Sequence, residues 1–208
     1  MLRNGEWISK NKSEVSVRVL GIDLTGSEER ASGVALLDGT LLEFTKRIKP
    51  DAELEAEAIS SQPEVVSIDS PLSLPEDKSK IYRWCELELK RRGIGVFWCL
   101  LPTMKNLTMR GINLATKLRS AGLTVIESYP GAAQDILGIP RKQKGIQLLA
   151  DALAKFGIRG NLDVSHDELD AVTAAIVGQY YLRSDYEALG CLILPRGKEW
   201  QLKLIQQK

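Results

Sequence analysis

Three apolar runs in this chain stop at an acid. The first, residues 17–22, carries too little polarity for a surface strand and reads as a buried one. Asp23 closes it, and Gly26 and Ser27 supply turn chemistry behind it. Apolar runs resume at residues 33–37 and 41–44, on either side of Asp38-Gly39, a strong hairpin signal. The pattern so far predicts a three-stranded meander that begins at an acid-tipped strand. Residues 51–61 predict an acidic helix that stops before Pro63. Residues 64–69 predict a second buried strand, ending in Asp69. Pro71 and Pro75 exclude a helix just after it. Residues 78–92 predict a helix rich in Lys and Arg, closed by Gly93. The apolar stretch 95–101 fits either a short strand or a loop packed on the core.

Residues 104–121 predict a helix that turns Leu107, Ile112, Leu114 and Leu118 inward and stops at Gly122. Residues 123–127 form the third acid-tipped strand, ending in Glu127, and Pro130-Gly131 breaks the chain after it. Short helices are expected over 132–137 and 144–156, around a basic stretch at Arg141, Lys142 and Lys144. The last strong helix is expected from about His166 to Leu182. Ser165 and Glu168 form its capping-box pattern. Asp167 and Asp170, three apart, share a face at its first turn. That face continues through Ala174 and Gly178, small enough to let the helix lie close to a sheet. The tail 197–208 is short, polar and basic, as a final strand or helix.

Composition changes this picture little. The chain has 208 residues, 44% hydrophobic and 26% charged, which suits one globular domain spanning 1–208 with a polar N-terminal arm at 1–15. A net charge of +1 leaves no global basic field, so any contact with nucleic acid must be local. No run approaches the roughly 20 apolar residues needed to span a bilayer, so no membrane partner is expected. Residues 1–16 lack the apolar core of a signal peptide. Cys85, Cys99 and Cys191 have no metal-ligand spacing, and an odd count argues against a disulfide framework. Reduced thiols in a cytoplasmic protein are expected.

The acids form the candidate chemistry. If the acid-tipped strands are parallel, Asp23, Asp69 and Glu127 gather at one sheet edge, where ligands of such sheets bind. The capped helix adds Asp167 and Asp170. Crowded carboxylates need compensating charge, and oxygen-only ligands suit Mg²⁺ or Mn²⁺. Singly, each acid has a plainer use: a strand-end Asp caps a turn, and Asp167 favours a helix N-terminus. His166, the one histidine, lies beside them. Phosphate contacts are expected from Arg83, Lys90 or Arg91 on the basic helix and from Arg110 and Lys117 on the next. Trp84 and Trp98 read as core.

The order of these elements resembles the RNase H-like superfamily, and Asp167-Glu168-Leu169-Asp170-Ala171 resembles the final motif of RuvC-type resolvases. More closely, GIDLTGS, SIDSPLSLP, VIESYPGA and HDELDAVTAA together resemble a family of uncharacterised proteins described as RNase H-like nucleases. The resemblance runs from about Val17 to Leu182. It implies an α/β fold, a central mixed sheet with an antiparallel meander and flanking helices. It also implies phosphodiester hydrolysis by a two-metal mechanism on DNA or RNA. By motif, Asp23, Asp69, Asp167 and Asp170 would be metal ligands, with Glu127 an additional catalytic acid. RuvC-type enzymes usually carry Glu where this chain has Asp69. A homodimer is compatible with this resemblance. The superfamily also contains sugar-kinase and actin-like ATPases, whose first strand ends in a similar turn, so a nucleotide-binding phosphotransferase is an alternative. A binding protein with a relict site is another.

Overall fold

The computed structural model describes residues 17–197. The expected arm at 1–15, and the tail from residue 198 onward, lie outside them. The meander forms as the pattern predicts: β1 (Arg18–Asp23), β2 (Ser32–Asp38) and β3 (Leu41–Ile48). Helix α1 (Asp51–Ser60) leads to β4 (Val65–Asp69). Helices α2 (Trp84–Arg91) and α3 (Pro102–Ser120) precede β5 (Val125–Ser128). Then come α4 (Pro130–Leu137), a 3₁₀ turn (Lys142–Lys144), α5 (Ile146–Phe156) and α6 (His166–Leu182). A hairpin of β6 (Tyr186–Leu189) and β7 (Leu192–Pro195) closes the described chain.

All seven strands belong to one sheet, in the order β3-β2-β1-β4-β5-β7-β6. The middle strands β1, β4, β5 and β7 run parallel, and the hairpins at the two edges are antiparallel. Alternation along the strands divides the core into two faces. Leu20 and Ile22 pack with Leu54 and Ala58 of α1 and Leu114 and Leu118 of α3. Val19 packs the other way, with Leu169, Val172 and Ile176 of α6 and Leu149 and Leu153 of α5. Each such aliphatic side chain, fully buried, contributes about 1.5–3 kcal/mol. Central strands buried on both faces explain why β1 and β4 read as continuous apolar runs.

Helix α6 lies on the sheet with almost no gap. A Cβ on Gly21 of β1 would fall 1.9 Å from the Ala171 carbonyl oxygen, and one on Gly33 of β2 would fall 2.2 Å from the Asp167 carbonyl oxygen. Any side chain at either position would push the helix away. The capping box expected at its start is formed: Glu168 N–H donates to Ser165 Oγ at 3.4 Å, and Ser165 N–H to Glu168 Oε2 at 3.1 Å.

Three features differ from the sequence pattern, and one open alternative is resolved. Helix α2 begins at Trp84 rather than near residue 78. Asp77 Oδ1 accepts the Ser79 N–H at 2.9 Å and its hydroxyl at 2.7 Å, which holds that segment in a turn, and the Arg83 N–H to Glu86 Oε2 contact (3.1 Å) starts the helix instead. Residues 95–101 form a loop, tied by the Leu100 N–H to the Ile81 carbonyl at 3.0 Å. Trp84 is 57% exposed rather than core, and Trp98 packs on Tyr82 with ring centroids 5.1 Å apart. The β6–β7 hairpin, turning through Gly190 at φ 63°, was not anticipated. Among the described residues, no helix is long and apolar enough to cross a membrane.

Candidate functional site

The site is built where β1 and β4 end. Asp23 and Asp69 are register partners on these adjacent parallel strands. Asp23 alternates in step with Val19 and Gly21, so it falls on the face covered by α6. Asp69 alternates in step with Val65, which packs with Val177 of α6. Gly33 is the partner of Asp23 on β2, and its contact with the Asp167 backbone brings the N-terminus of α6 over the same strand ends. One turn later, buried Asp170 accepts from Gln134 Nε2 at 2.9 Å and pairs with Lys142 Nζ at 2.7 Å. His166 Nδ1 lies 2.8 Å from Asp167 Oδ1.

The electrostatics follow from this crowding. Burial pushes the Asp23 carboxyl well above its ordinary pKa, and the charges of Asp69, Asp170 and Asp167 push it further, while Lys142 pulls it down. Burial, then Asp170 and Glu127, raise Asp69 to about 8 against the pull of Lys142 and of a hydrogen bond with Asp23. Burial works against the charge on Lys142, but Asp170, Asp23 and Asp167 outweigh it and its pKa rises. A set of carboxylates that cannot all ionise together draws in either protons or cations. Here Lys142 already supplies one positive charge.

The donor chemistry suits a hard divalent cation: oxygen ligands only, on rigid element ends, short of positive charge. Among the described residues, however, no three His, Cys, Asp or Glu side chains stand close enough together to form a coordination shell as they are. The fit is therefore one of chemistry and placement.

Glu127 stands near Asp69 but on the other face of the sheet. Strand β5 runs one residue past it, so Ser128 is the register partner of Asp69 and Glu127 is that of Ile68. Because side chains alternate, a one-residue offset sends Glu127 to the opposite face. There it accepts two hydrogen bonds from Arg83, Nη2 to Oε1 at 2.7 Å and Nη1 to Oε2 at 2.8 Å, and the Leu72 N–H at 2.7 Å. This saturated carboxylate holds Arg83 and the proline-containing loop in place. Arg83 is accordingly 8% exposed and engaged with Glu86 as well, not a free surface cation. Arg110 is engaged in a similar way. It is 7% exposed, and it donates to Asp51 Oδ1 at 2.8 Å and to the carbonyls of Thr25, Ser27 and Lys49 at 2.7–3.0 Å. It clamps the turn behind Asp23 rather than facing solvent. Arg91 and Lys117 do reach solvent, with Arg91 71% exposed.

Two residues of the site escaped the sequence reading. Lys142 lay in a basic stretch that carried no assigned role, and Gln134 lay on a short helix with no visible signal. A cavity of about 310 Å³ opens beside Asp69, with Lys142 and Tyr129 among its lining residues.

No protein-family model matches the chain, and no curated protein matches it. Among solved structures, it is similar to T. thermophilus RuvC in complex with Holliday junction substrate. That match is 13% identical and covers 80% of this chain and 96% of the other, with a TM-score of 0.51. A second Thermus thermophilus RuvC structure is 15% identical over the same shares, with a TM-score of 0.48. The first match, at that identity, speaks for the fold: α/β, a mixed central sheet flanked by helices, of the RNase H-like type.

Proposed function

We propose that this protein is a nuclease that uses Mg²⁺ or Mn²⁺ to hydrolyse phosphodiester bonds of nucleic acid. The observation that carries the reading is the register pairing of Asp23 with Asp69 at the strand ends, with the first turn of α6, which bears Asp167 and Asp170, packed on Gly33 beside them. Structural ion pairs perturb carboxylates too, but they pair acids with bases; here four acids face one lysine. The RuvC neighbour at TM-score 0.51 is bound to a Holliday junction, which lends nucleic acid as the substrate class. The motif resemblance to RNase H-like nucleases supports the same assignment.

Asp23, Asp69, Asp167 and Asp170 would hold the ion. Once bound, it would supply Lewis acidity and a water of lowered pKa. The chain's own residues do the rest. Asp23 and Asp69 set a fixed pair of oxygen donors on the sheet. Gln134 orients Asp170 by donating to its Oδ1. Lys142 offers a cation beside the acids, suited to a phosphate oxygen when it releases Asp170. Glu127 and Arg83 position the wall next to Asp69 without touching the reacting atoms. Arg91 and Lys117, two of the exposed cations of the expected set, would meet phosphates farther along the strand.

The test is cleavage of a labelled oligonucleotide with Mn²⁺ by the wild-type protein and by Asp23→Asn. The variant keeps the side-chain shape but loses the charge, so metal-dependent cleavage should fall to the metal-free background with the circular dichroism spectrum unchanged. Wild-type cleavage by a folded Asp23→Asn protein overturns the reading.

A further inference from the structure

The cavity beside Asp69 has a use that the acids do not explain. Its outer wall is apolar and includes Phe97, Met104 and Leu107, while Asp69, Ser128 and Lys142 stand on its polar side. Phe97 is 70% exposed, so nothing in the described chain packs over most of its ring. An exposed aromatic face and the Lys142 ammonium thus line one space beside Asp69.

We propose that this cavity takes one unpaired nucleobase, so that the chain acts on single-stranded or locally opened nucleic acid. The inference rests on the nuclease reading for the phosphate's position, and adds the state of the strand. At about 310 Å³ the cavity sits at the lower end of small-molecule sites. It admits one base with its sugar, not a stacked pair. A base entering it lies flat on Phe97, whose π face accepts any base. Its phosphate reaches Lys142 beside the acids. The next aromatic along the loop, Trp98, carries Lys90 Nζ 3.7 Å from its ring centroid. Aromatic and basic groups are thus neighbours along this loop, the combination that single strands favour. An apolar side chain of a protein partner would use Phe97 equally but would not need the cations.

The experiment is fluorescence anisotropy with a labelled oligothymidine of about twelve nucleotides, a blunt duplex of equal length, and an abasic strand of the same charge. Each is measured against wild type, Phe97→Ala and Phe97→Trp, once with Ca²⁺ and once with chelator. The readout is the affinity ratio between variant and wild type. The single strand should bind more tightly than the duplex. Phe97→Ala should weaken it by about 5- to 150-fold, Phe97→Trp should restore it, and the abasic strand should not sense the change. Equal binding of the single strand by wild type and Phe97→Ala overturns the proposal, as does tighter binding of duplex, or an equal loss on the abasic strand. Because the ratio is read without cleavage, it separates from the nuclease reading. A Phe97 effect without Mn²⁺-dependent cleavage removes the latter alone, and cleavage of duplex without a Phe97 effect removes the base site alone.

Discussion

Replacing Asp69 by Asn should stabilise the metal-free protein, and only at high pH. In the folded chain burial, Asp170 and Glu127 raise the Asp69 carboxyl from 3.8 to about 8. A raised carboxyl binds its proton more tightly when folded than when unfolded. Its contribution is therefore greatest below the unfolded value, declines as pH climbs through the interval, and is flat above about 8. Each unit is worth 1.36 kcal/mol, so the roughly three units between pH 5 and the folded value set a ceiling of about 4 kcal/mol. Asp69 keeps a partly exposed edge and feels Lys142, so about 2 kcal/mol is the working figure. Asn has no proton to lose, and the variant's advantage over wild type should grow by that amount from pH 5 to pH 9. Urea unfolding in chelator at the two pH values, with the slope m unchanged, measures it. Adding Mn²⁺ should reverse the order, since an ion at 100 times its Kd stabilises the wild type by about 2.7 kcal/mol and the variant by little. An advantage of equal size at pH 5 and pH 9 refutes the crowding argument.

Three further outcomes follow from the geometry. Gly33→Ala should destabilise the fold by about 1–3 kcal/mol and weaken Mn²⁺ binding together, because its Cβ meets the backbone that carries Asp167; unfolding and calorimetry check the pair. Glu127→Ala should cost about 1–3 kcal/mol by taking the acceptors from the far end of the buried Arg83 guanidinium, which keeps Glu86, while Glu127→Gln, which still accepts the Leu72 N–H, should cost less in the same urea assay. Arg91→Ala and Lys117→Ala should each lower the slope of log K against log salt by about 0.7 for a single strand where they meet a phosphate, with stability untouched.

The site was legible where local pattern and tertiary placement coincide. The runs ending in Asp23 and Asp69 are apolar because both strands are buried on both sides, and a terminal acid on such a strand stands out. The Ser165–Glu168 capping box marks the start of α6, and the small residues along that helix signal a close approach that Gly21 and Gly33 complete from the sheet. Glu127 was misplaced because an apolar run shows that a strand exists but not its last paired residue; one step of register decides its face. Arg83 and Arg110 resemble surface cations until their acidic and carbonyl partners are seen, and those lie 44 to 85 positions away in sequence for the contacts that bury them. Lys142 is invisible for the same reason. The β6–β7 hairpin hides in a segment whose apolar run is short and ends in Pro195, which suits the end of a strand.

The pairing of Asp23 with Asp69 makes the sheet a ruler. Neighbouring strands stand about 4.8 Å apart because main-chain hydrogen bonds set that spacing, and no side-chain substitution alters it. The first dimension of the acid cluster is thus as invariant as the peptide unit. Its second dimension is the height of α6 above the strands, held by the two glycines, and its third is the reach of Lys142 on a 3₁₀ turn. Adjustment to a larger or smaller ion would therefore come from the helix and the turn, with the strands serving as the fixed jaw of a vice.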